Sequence, residues 1–348
     1  MKQPALGLTA TAIIIAISLG FISLFDFEMF SGWVSFCLIS FIPMEIVVGV
    51  AWGTNYPGFA ASRNQPVKGL LLVLCTLVVG FIVGAACHAV VGQQISPPTP
   101  MLMMFMIASV VIMFWMAIMF GGWPFTSLIK NPVASGLVML VACYVVNYLL
   151  FRVFFDYAFM QGAPVYVAAQ DPHGMFNANS ALVFYVTAIG ILFLLLHFDL
   201  WPFTTSPGLM KQPILGIVWT ILALALGGLA FYLGVNVAGM DPMAFLITVP
   251  IPFIFGTILV LNMLHNSVFA KFTQPLKGVL NTVLAAVVGS ALAWIYGALA
   301  PTVTGNLTKG PPGNDYERWL ASALLAVTFP FLIFYAEFFK MWPLHKQR

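Results

Sequence analysis

A proline phrase that returns five times, each time at the threshold of a long apolar run, constrains this chain more than any other feature. The copies are Gln3-Pro4-Ala5-Leu6-Gly7, Gln65-Pro66-Val67-Lys68-Gly69, Asn131-Pro132-Val133-Ala134-Ser135-Gly136, Gln212-Pro213-Ile214-Leu215-Gly216 and Gln274-Pro275-Leu276-Lys277-Gly278. Met1-Lys2-Gln3-Pro4 comes back almost verbatim as Met210-Lys211-Gln212-Pro213. Two apolar runs separate successive copies, and the second generally closes on Trp123-Pro124, Trp201-Pro202 or Trp342-Pro343, with Tyr56-Pro57 as a looser form. A unit of 62 to 81 residues therefore recurs, and an internal repeat limits architecture before any local signal does. The unit predicts a helical hairpin, with boundaries near residues 1–60, 61–127, 128–205, 206–270 and 271–348.

The solvent for these hairpins follows from composition. Hydrophobic residues make up 61% of the chain and charged residues 7%, against about a quarter charged in soluble domains. Ten runs, near residues 6–25, 33–52, 70–93, 101–122, 136–157, 179–200, 214–236, 243–264, 278–299 and 319–341, approach the roughly 20 residues that cross a hydrocarbon core. The expected fold is an all-α integral membrane protein, ten transmembrane helices in a single polytopic domain over residues 1–348. The first run resembles a signal peptide in position, but its repeat at residue 210 predicts a retained helix.

Charge sets an expected orientation. Lys2, Arg63, Lys68, Lys130, Lys211, Lys271, Lys277, Lys340, Lys346 and Arg348 fall beside the Gln-Pro and Trp-Pro phrases, and only Arg152, Lys309 and Arg318 fall at the other end. The positive-inside rule then places both termini in the cytoplasm, and the short loops suit a bacterial inner membrane. The net charge of +3 reflects topology and gives no nucleic-acid footprint; the bilayer is the first partner. Cys37, Cys75, Cys87 and Cys143 lie inside apolar runs without a Cys-x-x-Cys pair, as packing residues do.

The phrases themselves read as scaffold. Proline suits the first position of a helix, where its missing N–H costs nothing, and tryptophan prefers the headgroup layer. Together they are expected to staple each hairpin at the inner interface. Aligning the odd-numbered helices on their prolines brings Ser18, Gly80, Gly227 and Gly289 into one register fourteen residues on, with Asn147 in the third copy. Small residues at such a depth let backbones approach; alternatively they narrow a pore. In the even-numbered helices Pro43, Pro250, Pro252 and Pro330 interrupt apolar runs. Thr248-Val249-Pro250-Ile251-Pro252 is the most disturbed stretch and predicts a kinked or partly unwound eighth helix, a feature that marks binding sites in some transporters.

Few ionisable residues lie at membrane depth, where they are functional candidates by default. Glu45 stands out. The cost of burying a charge there favours a neutral carboxyl or a proton carrier unless it is paired. Glu337 is expected to pair with Lys340 and Arg152 with Asp156. The histidines are scattered with no two one helical turn apart, so no haem or metal pair is visible, and no cofactor is expected. The methionines of the fourth helix admit a copper path but equally serve as core residues. Phosphate-loop, nucleophile-elbow, zinc-protease and dinucleotide signatures are absent.

Five hairpins of one orientation resemble the arrangement of the tellurite-resistance and slow-anion-channel proteins, in which hairpins surround a central pore. The resemblance is architectural and carries no pore residue to this chain. It implies a membrane channel or carrier for a small anionic or neutral solute. If odd helices line the lumen, Ser18, Gly80, Asn147, Gly227 and Gly289 ring it, and Glu45, Pro250 and Pro252 form gating or binding elements. Two other classes stay open. One is a non-transporting membrane subunit, a homo-oligomer or partner of an enzyme complex; the other is a haem- or quinone-binding oxidoreductase.

Overall fold

The structure, a computed structural model, describes residues 2–311 and 313–345. Ten helices are long and apolar enough to cross a membrane: α1 (Ala5–Ile22), α2 (Phe27–Ala51), α3 (Val67–Val90), α4 (Pro100–Met119), α5 (Pro132–Phe154), α6 (Ala178–His197), α7 (Ile214–Val237), α8 (Pro242–Met263), α9 (Leu276–Val303) and α10 (Asp315–Phe338). The chain is thus an all-α, multi-pass membrane protein.

Local chemistry starts each helix. Side chains of Asp26, Thr99, Asn177 and Asp241 accept first-turn N–H groups of α2, α4, α6 and α8, satisfying donors that a helix leaves open at its start. Asn131 caps α5 in the same way, with Pro132 as the first helical residue. In the four Gln-Pro copies the proline stands one position earlier than expected, just ahead of the first helical residue, and the Gln-Pro bond is cis.

The ten helices form two layers. The even helices pack in a closed ring, α2 on α4, α4 on α6, α6 on α8, α8 on α10 and α10 back on α2. Each odd helix lies outside, in a groove between two ring members: α3 on α2 and α10, α5 on α4 and α2, α7 on α6 and α4, α9 on α8 and α6, α1 on α10 and α8. Burial agrees, with the most apolar window of every even helix at least 61% buried and that of every odd helix at most 39%. The odd helices thus lie outside the even-helix ring, not around its interior, and turn apolar faces outward. Their outward rows repeat every three or four residues, as in Leu70, Leu74, Val78 and Phe81 or Val279, Val283 and Val287, all exposed. Such apolar faces suit hydrocarbon and would be a liability in water.

Helix pairing crosses the hairpin boundaries. From α3 on, every odd helix packs hardest on the even helix before it: α3 on α2, α5 on α4, α7 on α6 and α9 on α8. The register of small residues explains this. A Cβ on Gly80 would stand 2.7 Å from the Phe41 Cα, one on Gly227 2.8 Å from the Ala188 Cα, and one on Gly289 1.7 Å from the Pro252 carbonyl oxygen. Gly256 answers Gly289 from α8, its Cβ position lying 1.8 Å from the Ala285 oxygen. Without a hydrophobic drive between helices in lipid, this close approach supplies the dispersion contacts that hold the layers together.

The Gln-Pro phrase does more than start a helix. Gln3, Gln65, Gln212 and Gln274 donate through Nε2 to the carbonyls of Met263, Phe338, Met119 and His197, the last residues of α8, α10, α4 and α6. Through Oε1 each accepts the N–H of the glycine four residues on, Gly7, Gly69, Gly216 and Gly278. That glycine is bare because the residue after the even helix lies against it: Leu264, Phe339, Phe120 and Phe198. The third copy reverses the bond. Asn131 turns to its own helix, and the Trp52 indole N–H donates to the Pro132 carbonyl at 2.8 Å. The staple thus joins different hairpins instead of closing each one, because the carbonyls in need of a donor belong to an even helix of another hairpin.

The even helices also end alike. Four finish in a five-residue π-turn, Val47–Ala51, Trp115–Met119, Leu259–Met263 and Phe334–Phe338. All five are followed by two residues of positive φ: Gly53 and Thr54, Gly121 and Gly122, Asp199 and Leu200, His265 and Asn266, Lys340 and Met341. Helix α8 is interrupted at Val249, between the helical stretches Pro242–Thr248 and Pro250–Ile258, the break that the proline pair predicts.

Candidate functional site

The interior of the even-helix ring is the natural place to look for a site, and aromatic side chains occupy it. Phe114 on α4 meets Phe193 on α6 at 5.2 Å between ring centroids and Phe329 on α10 at 5.9 Å, both edge-on. Helices α4 and α10 are not neighbours in the ring; α2 separates them. Contact between their side chains therefore crosses the interior. All three rings are at least 92% buried, and edge-to-face packing of this kind is worth about 0.5–1.5 kcal/mol beyond burial.

Glu45 belongs to the same level, two residues before the terminal π-turn of α2, as Phe114 is one before that of α4. Its carboxyl is fully buried, and neither oxygen has a hydrogen-bond partner. An ionised carboxylate without a partner is untenable at that depth, so the site favours a protonated group or one that meets a proton or a hydrogen-bonding solute. Thr257, two residues before the π-turn of α8, holds the buried His197 ring at 2.9 Å. The remaining nitrogen of His197, Nδ1, is buried and unpartnered.

The five register residues lie between the layers. Gly80, Gly227 and Gly289 face α2, α6 and α8 as described. Asn147, fully buried, donates to the Phe105 carbonyl of α4 at 2.9 Å and leaves its Oδ1 unsatisfied. Ser18 is also fully buried, its hydroxyl without a partner. Pro250 and Pro252 are buried and open the second half of α8. Pro252 exposes its carbonyl to Gly289, so this proline shapes the α8–α9 contact.

Outside the helices, the long segment between α5 and α6 folds over the turn between α3 and α4. Gln170 donates to the Gly92 carbonyl at 2.7 Å and accepts from the Thr99 hydroxyl, and Gln93 donates to the Ala169 carbonyl at 2.8 Å. Asp171 pins the segment by accepting the N–H groups of Tyr157 and His173 and the Tyr166 hydroxyl. Burial, with the Asp171 charge, pushes the Tyr157 phenol well above its ordinary range. Two short parallel strands, β1 (Phe155–Asp156) and β2 (Phe176–Asn177), close its base.

Ion pairs fall at the helix ends. Lys340 meets Glu337 at 2.9 Å as expected, and Lys277 meets Asp199 at 2.8 Å. Arg152 and Asp156 form no pair among the described residues, because the chain leaves the helix at Phe155 and Asp156 enters the strand. Partial burial raises the Asp199 carboxyl, but hydrogen bonds from Lys277 and Gln274 outweigh that and hold it below the usual carboxylate range.

Sequence reasoning missed the three phenylalanines. Among 32 phenylalanines, nothing in spacing separates a ring facing lipid from one facing the interior. Comparisons with family models, with curated proteins and with solved structures return no match for this chain.

Proposed function

We propose that the protein is a gated channel or carrier for a small anionic or neutral solute. Five hairpin units, with both termini and the basic end in the cytoplasm, would set the even helices around the translocation path. The single observation that carries this reading is the closed ring of five helices whose interior is filled by the side chains of Phe114, Phe193 and Phe329. A hydrophobic constriction of this type gates by excluding water. Glu45, buried without a partner two residues before the terminal π-turn of α2, would be the proton or solute contact. Its mid-membrane neighbours on the ring carry no cation, so selectivity would come from width and hydrogen bonding.

The test is flux from proteoliposomes, with chloride efflux read by electrode and glycerol entry by light scattering. Phe114→Ala/Phe329→Ala should raise one of the two several-fold over wild type. The control, Trp294→Ala on the lipid face, should leave both at the wild-type level. Tight vesicles with the double variant, eluting as a folded monodisperse species, would sink the proposal.

A second reading has an observation of its own. A lateral apolar groove of about 710 Å³ opens between α5 and α7, floored by α4 and α6 residues such as Ile112, Ala181 and Ala188. A membrane subunit that receives a partner's helix or a hydrophobic substrate would need such a groove. Co-purification of a stoichiometric partner that is lost on Leu224→Trp, at an exposed position of the groove, favours this reading over transport.

A further inference from the structure

The ring closes where α1, first in the chain, seats between α8 and α10, and at the basic end of this seam the structure leaves a cavity of about 400 Å³. Lys2, His265, Lys340 and His345 line it, with Glu337 the one acid and Leu6, Ala336 and Met341 as apolar wall. Glu337 is already engaged, by Lys340 at 2.9 Å and by the Asn262 amide at 3.1 Å. Lys2, His265 and His345 have no acidic partner among the described residues. Lys2 is thus the lysine of the cavity whose charge no acid compensates, and the His265 and His345 imidazoles add hydrogen-bonding groups beside it.

Backbone conformation supplies an independent observation. The first residue of positive φ after each even helix is glycine at Gly53 and Gly121, the inexpensive choice for that conformation. At the ends of α8 and α10 it is His265 and Lys340, both at φ 51°. A side chain kept in a conformation that disfavours it points to a role for the side chain. At the remaining end the side chain has one, since Asp199 binds Lys277 and Gln274. His265 and Lys340 both line the cavity, Lys340 while paired with Glu337.

We propose that this cavity binds a phosphate group, that of an anionic phospholipid headgroup in the adjoining leaflet. The charge calls for an anion, the apolar wall suits the glycerol and first methylenes, and the cavity lies at the level of the Gln-Pro phrases, where headgroups are. Basic pockets between helices recognise lipid phosphates in this way. The inference stands apart from transport, since the cavity is off the ring interior.

The experiment is thermal unfolding at pH 7 in nanodiscs of phosphatidylcholine alone, of phosphatidylcholine with phosphatidylglycerol, and of phosphatidylcholine with inorganic phosphate in the buffer. Wild type should melt a few degrees higher with phosphatidylglycerol. Lys2→Gln/His265→Gly should lose most of that rise while melting no lower in phosphatidylcholine alone, because glycine relieves the backbone at position 265. Lys211→Gln, in the twin phrase outside this cavity, should keep the rise. A rise with phosphatidylglycerol only identifies the lipid headgroup. An equal rise with inorganic phosphate keeps the phosphate site and assigns it to a soluble anion. No rise in either medium, or the same loss in Lys211→Gln, overturns the proposal.

Discussion

At the residue scale, glycines show how much of this protein is decided by the absence of a single carbon. Gly289 sits where a Cβ would overlap the Pro252 carbonyl oxygen, whereas a Cβ at Gly20 meets nothing within 4 Å. Gly289→Ala should therefore cost about 1–3 kcal/mol or more through overpacking. Gly20→Ala should be neutral or gain up to about 1 kcal/mol from helix propensity. Thermal melts of the two variants in one detergent check the contrast; equal losses would contradict the two-layer packing. Asp199 gives the pH counterpart. Its folded carboxyl is held below its unfolded value, so its contribution is present above the unfolded range near pH 4 and fades as pH falls through the folded value. Asp199→Asn, which tolerates the same positive φ, should flatten the melting profile below about pH 4 and change it little at pH 7, since the exposed pair with Lys277 is worth little there. The small-residue register was legible in the sequence because proline gives a fixed origin to count from. Its partner helix was not legible, because counting along one helix says nothing about which neighbour it meets.

At the element scale, the Gln-Pro phrase is a two-sided clamp. One amide satisfies a carbonyl at the end of an even helix and an N–H in its own first turn. Gln212→Ala should leave the Met119 carbonyl and the Gly216 N–H without these partners, a loss of about 1–3 kcal/mol if the Met119 carbonyl stays dry. The variant should also open the seam between α4 and α7 to protease at the nearby loop. A melt indistinguishable from wild type, with no new cleavage, would contradict that role. The phrase itself was visible at once; its destination was not, since the bond runs between residues 93 positions apart. Element boundaries were read from hydropathy, which placed the start of the tenth helix at residue 319. The structure begins it at Asp315, because Asp315, Tyr316, Glu317 and Arg318 form a polar first turn. There Arg318 pairs with Asp315, and Glu317 accepts the Gly310 N–H. The broken eighth helix, by contrast, follows directly from Pro250 and Pro252, since neither can donate to the preceding turn.

At the scale of the whole molecule, ten helices of nearly uniform hydrophobicity are sorted into an inner ring and an outer layer. Hydropathy does not distinguish the layers: the windows of α3 and α4 differ little, at 2.8 and 2.5, although 28% of one and 67% of the other is buried. What separates them is the character of the faces. Odd helices offer one stripe of small residues and a broad apolar face for lipid, while even helices bury residues all round. That asymmetry was present in the sequence as the Pro-aligned register, and its meaning emerged only once the partners were in place. Within the ring α4 and α10 face one another across a shared interior closed by phenylalanine, the route proposed for a solute. The most direct measurement is cross-linking of Phe114→Cys/Phe329→Cys by a short bifunctional thiol reagent, on a background lacking Cys37, Cys75, Cys87 and Cys143, with flux recorded before and after. An intramolecular cross-link in high yield that abolishes the flux opened by the two substitutions is the expected result. No cross-link, or a cross-link that leaves the flux unchanged, would contradict it.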